Sequence, residues 1–238
     1  MNIAGLQKTS VIDFPGNICS TIFVSGCNLR CRYCYNRDLV LNSTSLSFYL
    51  QEEVLNFFQQ RKSLLDGVCI SGGEPTLQED LPQFVYEIKK IGLQVKLDSN
   101  GTFPQVIYHL LEKALVDYIA VDIKAPLDKY SDITSQDLSP GLILSLKETI
   151  ELLINSTSID YEFRTTVIPG IIHIEDITAI ARQIKGAEKY VLQQFQPYSQ
   201  LMDPLLLEHK PYTKETIQSV LGTCLYYVNN IALRGFTG

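Results

Sequence analysis

No apolar run in this sequence approaches the roughly 18 residues that a membrane span requires. Residues 1–10 lack a charged start followed by an apolar stretch, so no secretory leader is read there. Positive charge is also in short supply. Lys and Arg number 20 against 26 Asp and Glu, a net charge of −6. A general nucleic-acid binder carries a basic footprint, so that class is set aside. Internal repeats, low-complexity tracts and Gly/Ser/Pro-rich linkers are missing. Histidine is scarce, and His109, His173 and His209 have no zinc-like spacing. What remains is a globular composition of 238 residues, 45% hydrophobic and 19% charged. Such a chain can bury a full core without disulfide or metal staples. The expected compartment is a reducing cytoplasm, where six cysteines are no disulfide framework.

Short β-rich runs alternate with amphipathic stretches. Strands are expected over 19–25, 68–70, 95–98, 118–123, 160–167 and 190–194. Helices are expected over 50–60, 82–91, 106–113, 144–155 and 174–184. Thr213 reads as the N-cap of a helix to about Cys224, and an apolar strand over 226–233 follows. Six alternations demand a parallel sheet with right-handed crossovers. A closed eight-unit barrel takes about 250 residues. The expected fold is therefore α/β: an incomplete (β/α)6 TIM-like barrel with outer helices, the alternative being an open doubly wound sheet. It is read as a single domain over 1–238, with a core near 17–200 and a C-terminal helix and strand near 213–235. In either fold, chemistry belongs at the C-terminal strand ends.

After the first expected strand, Cys27, Cys31 and Cys34 are spaced C-x3-C-x2-C. A loop this compact can wrap three soft thiolates around one inorganic cluster. A [4Fe–4S] cube normally takes four cysteines, so three leave one iron open to a small molecule. Zinc would want a fourth ligand, often His. A Cys31–Cys34 redox pair would leave Cys27 unexplained. Cys19, Cys69 and Cys224 lie in apolar surroundings and read as core.

The other strand ends carry Ser71-Gly72-Gly73-Glu74-Pro75, Asp98-Ser99-Asn100-Gly101, Asp122-Ile123-Lys124, Ile168-Pro169-Gly170 after Arg164, and Gln194-Phe195-Gln196-Pro197-Tyr198. Glycine pairs let backbone approach a ligand closely. Asp122 with Lys124 also reads as a rim salt bridge, and Arg164 as a partner of Glu162 or of another rim acid. Each is weak evidence singly, but all line one barrel mouth.

The triple-cysteine loop, with an aromatic before its last Cys and Gly-Gly-Glu-Pro about 40 residues later, resembles the radical S-adenosylmethionine (SAM) superfamily. The stretches 8–16 (KTSVIDFPG), 34–37 (CYNR) and 122–126 (DIKAP) resemble the glycyl-radical-enzyme activases, most of all the anaerobic ribonucleoside-triphosphate reductase activating proteins. The resemblance implies that Cys27, Cys31 and Cys34 hold a [4Fe–4S] cluster whose open iron chelates SAM. It implies Tyr33 at the adenine through its backbone, and Gly72, Gly73 and Glu74 at the methionyl amino group. Asp98 and Asp122 would lie near the methionine moiety, where relatives also hold a monovalent cation, with Lys124 at the carboxylate. Ile168 would pack on adenine. Asn100, Arg164 and Gln196 complete the candidate cofactor-binding set, and Asp13 would meet the substrate glycine loop. Two departures stand out: relatives usually have His where this chain has Tyr35, and often His where it has Gln196.

The implied reaction is reductive cleavage of SAM to a 5′-deoxyadenosyl radical that takes a hydrogen atom from a partner's glycine Cα. The implied partners are a glycyl radical enzyme, namely anaerobic ribonucleotide reductase, and flavodoxin or ferredoxin as electron donor. Nucleic acid and membrane are not expected partners. Arg30, Arg32 and Arg37 read either as a basic patch for that donor or as solvated loop charges. Competing readings are a small-molecule radical enzyme similar to 7-carboxy-7-deazaguanine synthases, and a non-catalytic zinc-binding module.

Overall fold

The computed structural model of the protein describes residues 1–41, 46–134, 138–197 and 201–236. Seven parallel strands make the wall: β2 (Cys19–Val24), β3 (Gly67–Gly72), β4 (Gln94–Ser99), β5 (Tyr118–Asp122), β6 (Asp160–Val167), β7 (Lys189–Gln194) and β8 (Asn230–Arg234). They are joined by α1 (Arg37–Val40) and α2 (Gln51–Arg61), α3 (Leu81–Ile91), α4 (Pro104–Glu112), α5 (Tyr130–Thr134) and α6 (Pro140–Ile154), α7 (Ile174–Gln183) and α8 (Lys214–Cys224). The sheet order follows the sequence, and the first and last strands do not pair, so the barrel is open on one side. This is the expected incomplete barrel of six strand–helix units, followed by a seventh parallel strand.

The short helices α1 and α5 were not expected, and two strands differ from expectation. An edge strand, β1 (Ile3–Ser10), pairs antiparallel with β2. Its middle, Gln7 to Thr9, is exposed, so it lacks the apolar alternation that announces a strand. β8 begins at Asn230 rather than 226, because the end of α8 claims the residues before it. Tyr226, Tyr227 and Val228 donate backbone bonds to Thr223 and Cys224, and Tyr226 is 84% exposed.

Local chemistry sets the helix limits. Ser139 caps α6 by accepting from the Leu142 N–H, with Pro140 at the first position, where its missing N–H costs nothing. Gly92 ends α3 at φ +95°, a left-handed conformation that favours glycine. No helix among the described residues is long and apolar enough to cross a membrane.

Side chains alternate across each strand, so one face packs on the helices and the other fills the barrel. The helix side is apolar, with Val95, Leu97, Ile119, Val121 and Phe163 buried against α3, α4 and α6 residues such as Phe84, Ile107 and Leu146. The barrel interior has an apolar floor, where Phe14 from the β1–β2 loop meets Cys19, Cys69, Tyr118 and Ala120. Above that floor the interior is charged: Lys96 and Asp98 on β4, Glu162 and Arg164 on β6.

Candidate active site

A cavity of about 680 Å³ opens at the C-terminal strand ends. Cys27, Cys31 and Cys34 all face it from the loop after β2. That loop is seated on the Gly-Gly-Glu-Pro turn. Gly73 donates its N–H to the Val24 carbonyl at 2.7 Å, and Glu74 donates to the Gly26 carbonyl at 2.8 Å. A Cβ on Gly73 would lie 2.0 Å from the Gly26 oxygen. A Cβ on Gly72, which sits at φ +116°, would lie 2.4 Å from the Val24 nitrogen. Close backbone approach is therefore the physical reason for both glycines. Asn36 adds a side-chain donor to the Gly72 carbonyl at 3.0 Å.

Glu74 is 1% exposed and fully engaged. Its carboxylate accepts from the Thr76 N–H and hydroxyl, the Ser99 hydroxyl and the Asn100 N–H. Burial pushes this carboxyl up, and those donors hold it down. It thereby ties the β3 turn to the β4 turn. Asn100 extends the tie, donating to the Asn28 side chain at 2.8 Å and lying 3.9 Å from the Cys27 sulfur.

Three further contacts clamp the cysteine loop. Arg30 donates to the Cys27 and Leu29 carbonyls, and Arg32 pairs with Asp203 at 2.8 Å. The Tyr35 hydroxyl accepts from the Gln196 N–H at 2.9 Å while its ring stacks on Phe195. The tyrosine thus joins the cysteine loop to the segment after β7. Tyr35→Phe is expected to lower stability by about 1 kcal/mol and to speed iron loss in air. Thermal unfolding and a timed iron assay check this; identical behaviour to wild type would show the bond to be idle.

A chain of ion pairs lines the wall. Lys96, 1% exposed at its side chain, pairs with Asp98. Arg164 bridges Asp98 at 3.3 Å and Asp122 at 2.8 Å, and Lys124 reaches Asp122 at 3.5 Å. Desolvation works against the ionised form of Asp98, but Arg164 and Lys96 outweigh it and hold the carboxyl below its usual range. The same contest, won by Arg164 and Lys124, takes Asp122 to about 2. Both carboxylates, at positions where relatives can hold a monovalent cation, thus already have cationic partners.

Tyr33 is buried and lines the cavity, with the Lys124 ammonium 5.9 Å from its ring centre. Asp13 lines it too, accepting from the Thr21 hydroxyl at 2.7 Å. Ile168 is fully buried in the main hydrophobic core, outside the lining, and Gln196 also lies outside it. Tyr198 lies outside the described residues. Sequence reading missed Asn36, Thr166, Gln193 and Arg234, which also line the cavity. Thr166 was findable: it follows Arg164 by two, hence on the same strand face.

The sequence profile of the radical SAM superfamily matches residues 21–184. A Methanocaldococcus jannaschii protein named for glycyl-radical enzyme activation is 33% identical, over 99% of this chain and 97% of its own. The pyruvate formate-lyase 1-activating enzyme of Escherichia coli K12 is 27% identical over 96% of this chain and 97% of its own. Among solved structures, Streptococcus suis SuiB bound to S-adenosylmethionine superposes with a TM-score of 0.67 at 14% identity, over 89% of this chain and 49% of that one, a likeness of fold. The chain belongs to the radical SAM superfamily, within its glycyl-radical enzyme activating enzymes.

It is accordingly an enzyme whose cofactors are a [4Fe–4S] cluster and SAM. The donor set fits the cluster. Three thiols share one cavity, yet no three His, Cys, Asp or Glu among the described residues converge on a single ion. A cluster is wider than one ion, and soft thiolates are its ligands. Burial pushes all three thiols up, Cys31 to about 12 with Lys124 opposing, so loading the cluster must release protons.

Proposed function

We propose that this activase takes a hydrogen atom from a glycine Cα of anaerobic ribonucleoside-triphosphate reductase, drawing its electron from flavodoxin or ferredoxin in the cytoplasm. When bound, the cluster and SAM supply the one-electron cleavage that generates the abstracting 5′-deoxyadenosyl group. The residues named here do the holding. Cys27, Cys31 and Cys34 ligate the cluster, and the Gly72–Gly73–Glu74 turn receives the methionyl amino group. Lys124 and Arg164 meet the carboxylate, with Asp98 and Asp122 keeping both charged. Tyr33 and Asn100 border the cofactor, while Ile168 and Gln196 support its adenine side from behind the lining. Asp13 faces the substrate glycine.

The observation that carries this reading is Asp13 facing the same cavity as the three cysteines, beside the open side of the sheet. A partial barrel leaves room there for a loop of a large protein. The names of the relatives support the partner's kind. Of the three arginines of this region, exposed Arg37 is the one offered to an acidic donor protein, since Arg30 binds loop carbonyls and Arg32 binds Asp203.

The test is anaerobic. The reconstituted, reduced enzyme is mixed with SAM and the reductase, and 5′-deoxyadenosine and the paramagnetic resonance spectrum are recorded. A glycyl-radical signal stoichiometric with 5′-deoxyadenosine is expected. Deoxyadenosine without that signal, on the reductase or on pyruvate formate-lyase, would redirect the reading to a small-molecule substrate. A colourless protein holding zinc would remove catalysis altogether.

A further inference from the structure

β8 ends at the cavity mouth, and its last residue, Arg234, lines the cavity with Ile12 and Asp13. This guanidinium is held from one side only. Its Nη2 donates to both oxygens of Glu162, at 3.1 and 3.4 Å. Glu162 is wholly buried and is independently anchored by the Tyr118 hydroxyl at 2.8 Å and by Lys189 at 3.0 Å. Arg234 itself is 38% exposed, and no hydrogen bond of its Nε or Nη1 is found among the described residues. A planar fork fixed at one nitrogen keeps its other donors pre-oriented. Asp13 also lines this cavity, from the loop at the N-terminal end of β2, and spends one oxygen on Thr21. Within this one cavity, β8 therefore offers a rigid donor and the β1–β2 loop a carboxylate acceptor. A single peptide group presents the complementary pair, a C=O and an N–H.

We infer that Arg234 is a positioning residue for the partner polypeptide, donating to a backbone carbonyl beside the target glycine while Asp13 accepts a neighbouring N–H. The inference rests on the proposed glycine-abstracting function and adds to it how the substrate is read. Recognition goes to the extended backbone, so side chains next to the glycine contribute little. Because Glu162 keeps Tyr118 and Lys189, Arg234 is not needed to neutralise it.

The test uses the reconstituted full-length enzyme with the intact reductase, and with pyruvate formate-lyase as a second substrate protein. Initial rates of glycyl-radical formation give KM and kcat for wild type, Arg234→Lys and Arg234→Gln. Arg234→Lys keeps a cation beside Glu162 but loses the fixed fork. Both variants are expected to raise KM for the partner about tenfold, the loss of one hydrogen bond to a buried group, with kcat within about twofold. A thermal melt of each variant reads the structural role separately. A lower melting temperature with unchanged KM would make Arg234 a support for Glu162 and overturn the inference, as would equal changes in KM and kcat. If wild type itself forms no glycyl radical on either protein, the functional reading has failed and the inference falls with it. A wild-type signal with variant KM unchanged fails the inference alone.

Discussion

Gly73→Ala is expected to reduce iron bound after reconstitution to a small fraction of the wild-type content, and SAM cleavage by about a hundredfold or more. The added methyl carbon would lie 2.0 Å from the Gly26 oxygen, a distance no real contact reaches. The obstacle is backbone rather than the end of a flexible side chain, so relief requires moving the strand end that launches the cysteine loop. It would also strain the adjoining bond from Glu74 to the Gly26 carbonyl. In the proposed ligation three thiols must reach one cluster together, so a displaced loop loses more than one ligand's worth of affinity. Iron per chain and 5′-deoxyadenosine yield measure the effect. Full iron content with normal turnover would show that the loop takes its shape from elsewhere.

Arg164→Met should be the most destabilising substitution in the charged wall. It strips one shared cation from two carboxylates, Asp98 and Asp122. Breaking a fully buried pair costs about 3–5 kcal/mol. About 2 kcal/mol is expected here, because Asp122 is a third exposed and Lys96 and Lys124 remain. The sign of the pH dependence follows from the depressed carboxyls. In wild type their contribution is complete above their unfolded value of 3.8 and is lost as pH falls through about 2 for Asp122. Protonated carboxyls need no cation, so the gap between variant and wild type should shrink from pH 5 to pH 2. Denaturant melts at several pH values in that range test this. A gap that is constant with pH would mean the arginine acts by packing alone. Weaker binding of SAM should accompany the loss at neutral pH, read by equilibrium titration.

The cysteine loop and the glycine turn were legible because each is local: spacing and residue type sit within a few positions. The alternation of strand and helix was equally plain, and it led to the open barrel. What sequence could not supply was juxtaposition. Glu74 is a knot between two turns only because Ser99 and Asn100 arrive beside it from another strand. Arg164 reads on paper as a partner for Glu162 or another rim acid; the structure selects the latter, Asp98 and Asp122, while Glu162 is served by Lys189, Arg234 and Tyr118. Neighbours two apart on one strand share a face but are spread along it, whereas partners across the barrel come from distant segments. β1 escaped notice for the opposite reason: its pairing with β2 is local, but its exposed middle hides the alternation. Tyr35 looked like a lost histidine, and its hydroxyl proves to be an acceptor for the backbone of Gln196.

The strictly sequential order of the sheet bears on how this chain comes into being. Every strand between the two edges hydrogen-bonds to the one made just before it and the one made just after. No pairing waits for the far end of the polypeptide, as the seam of a closed barrel must. Synthesis proceeds at roughly 5–20 residues per second and folding can follow it from the N-terminus, so the cysteine loop can be seated on the β3 turn once about the first third of the chain is outside the ribosome. The later strands then extend a ladder already carrying its cysteine loop. Without a closing pair the chain also avoids the loop-closure entropy that slows folds built on long-range contacts.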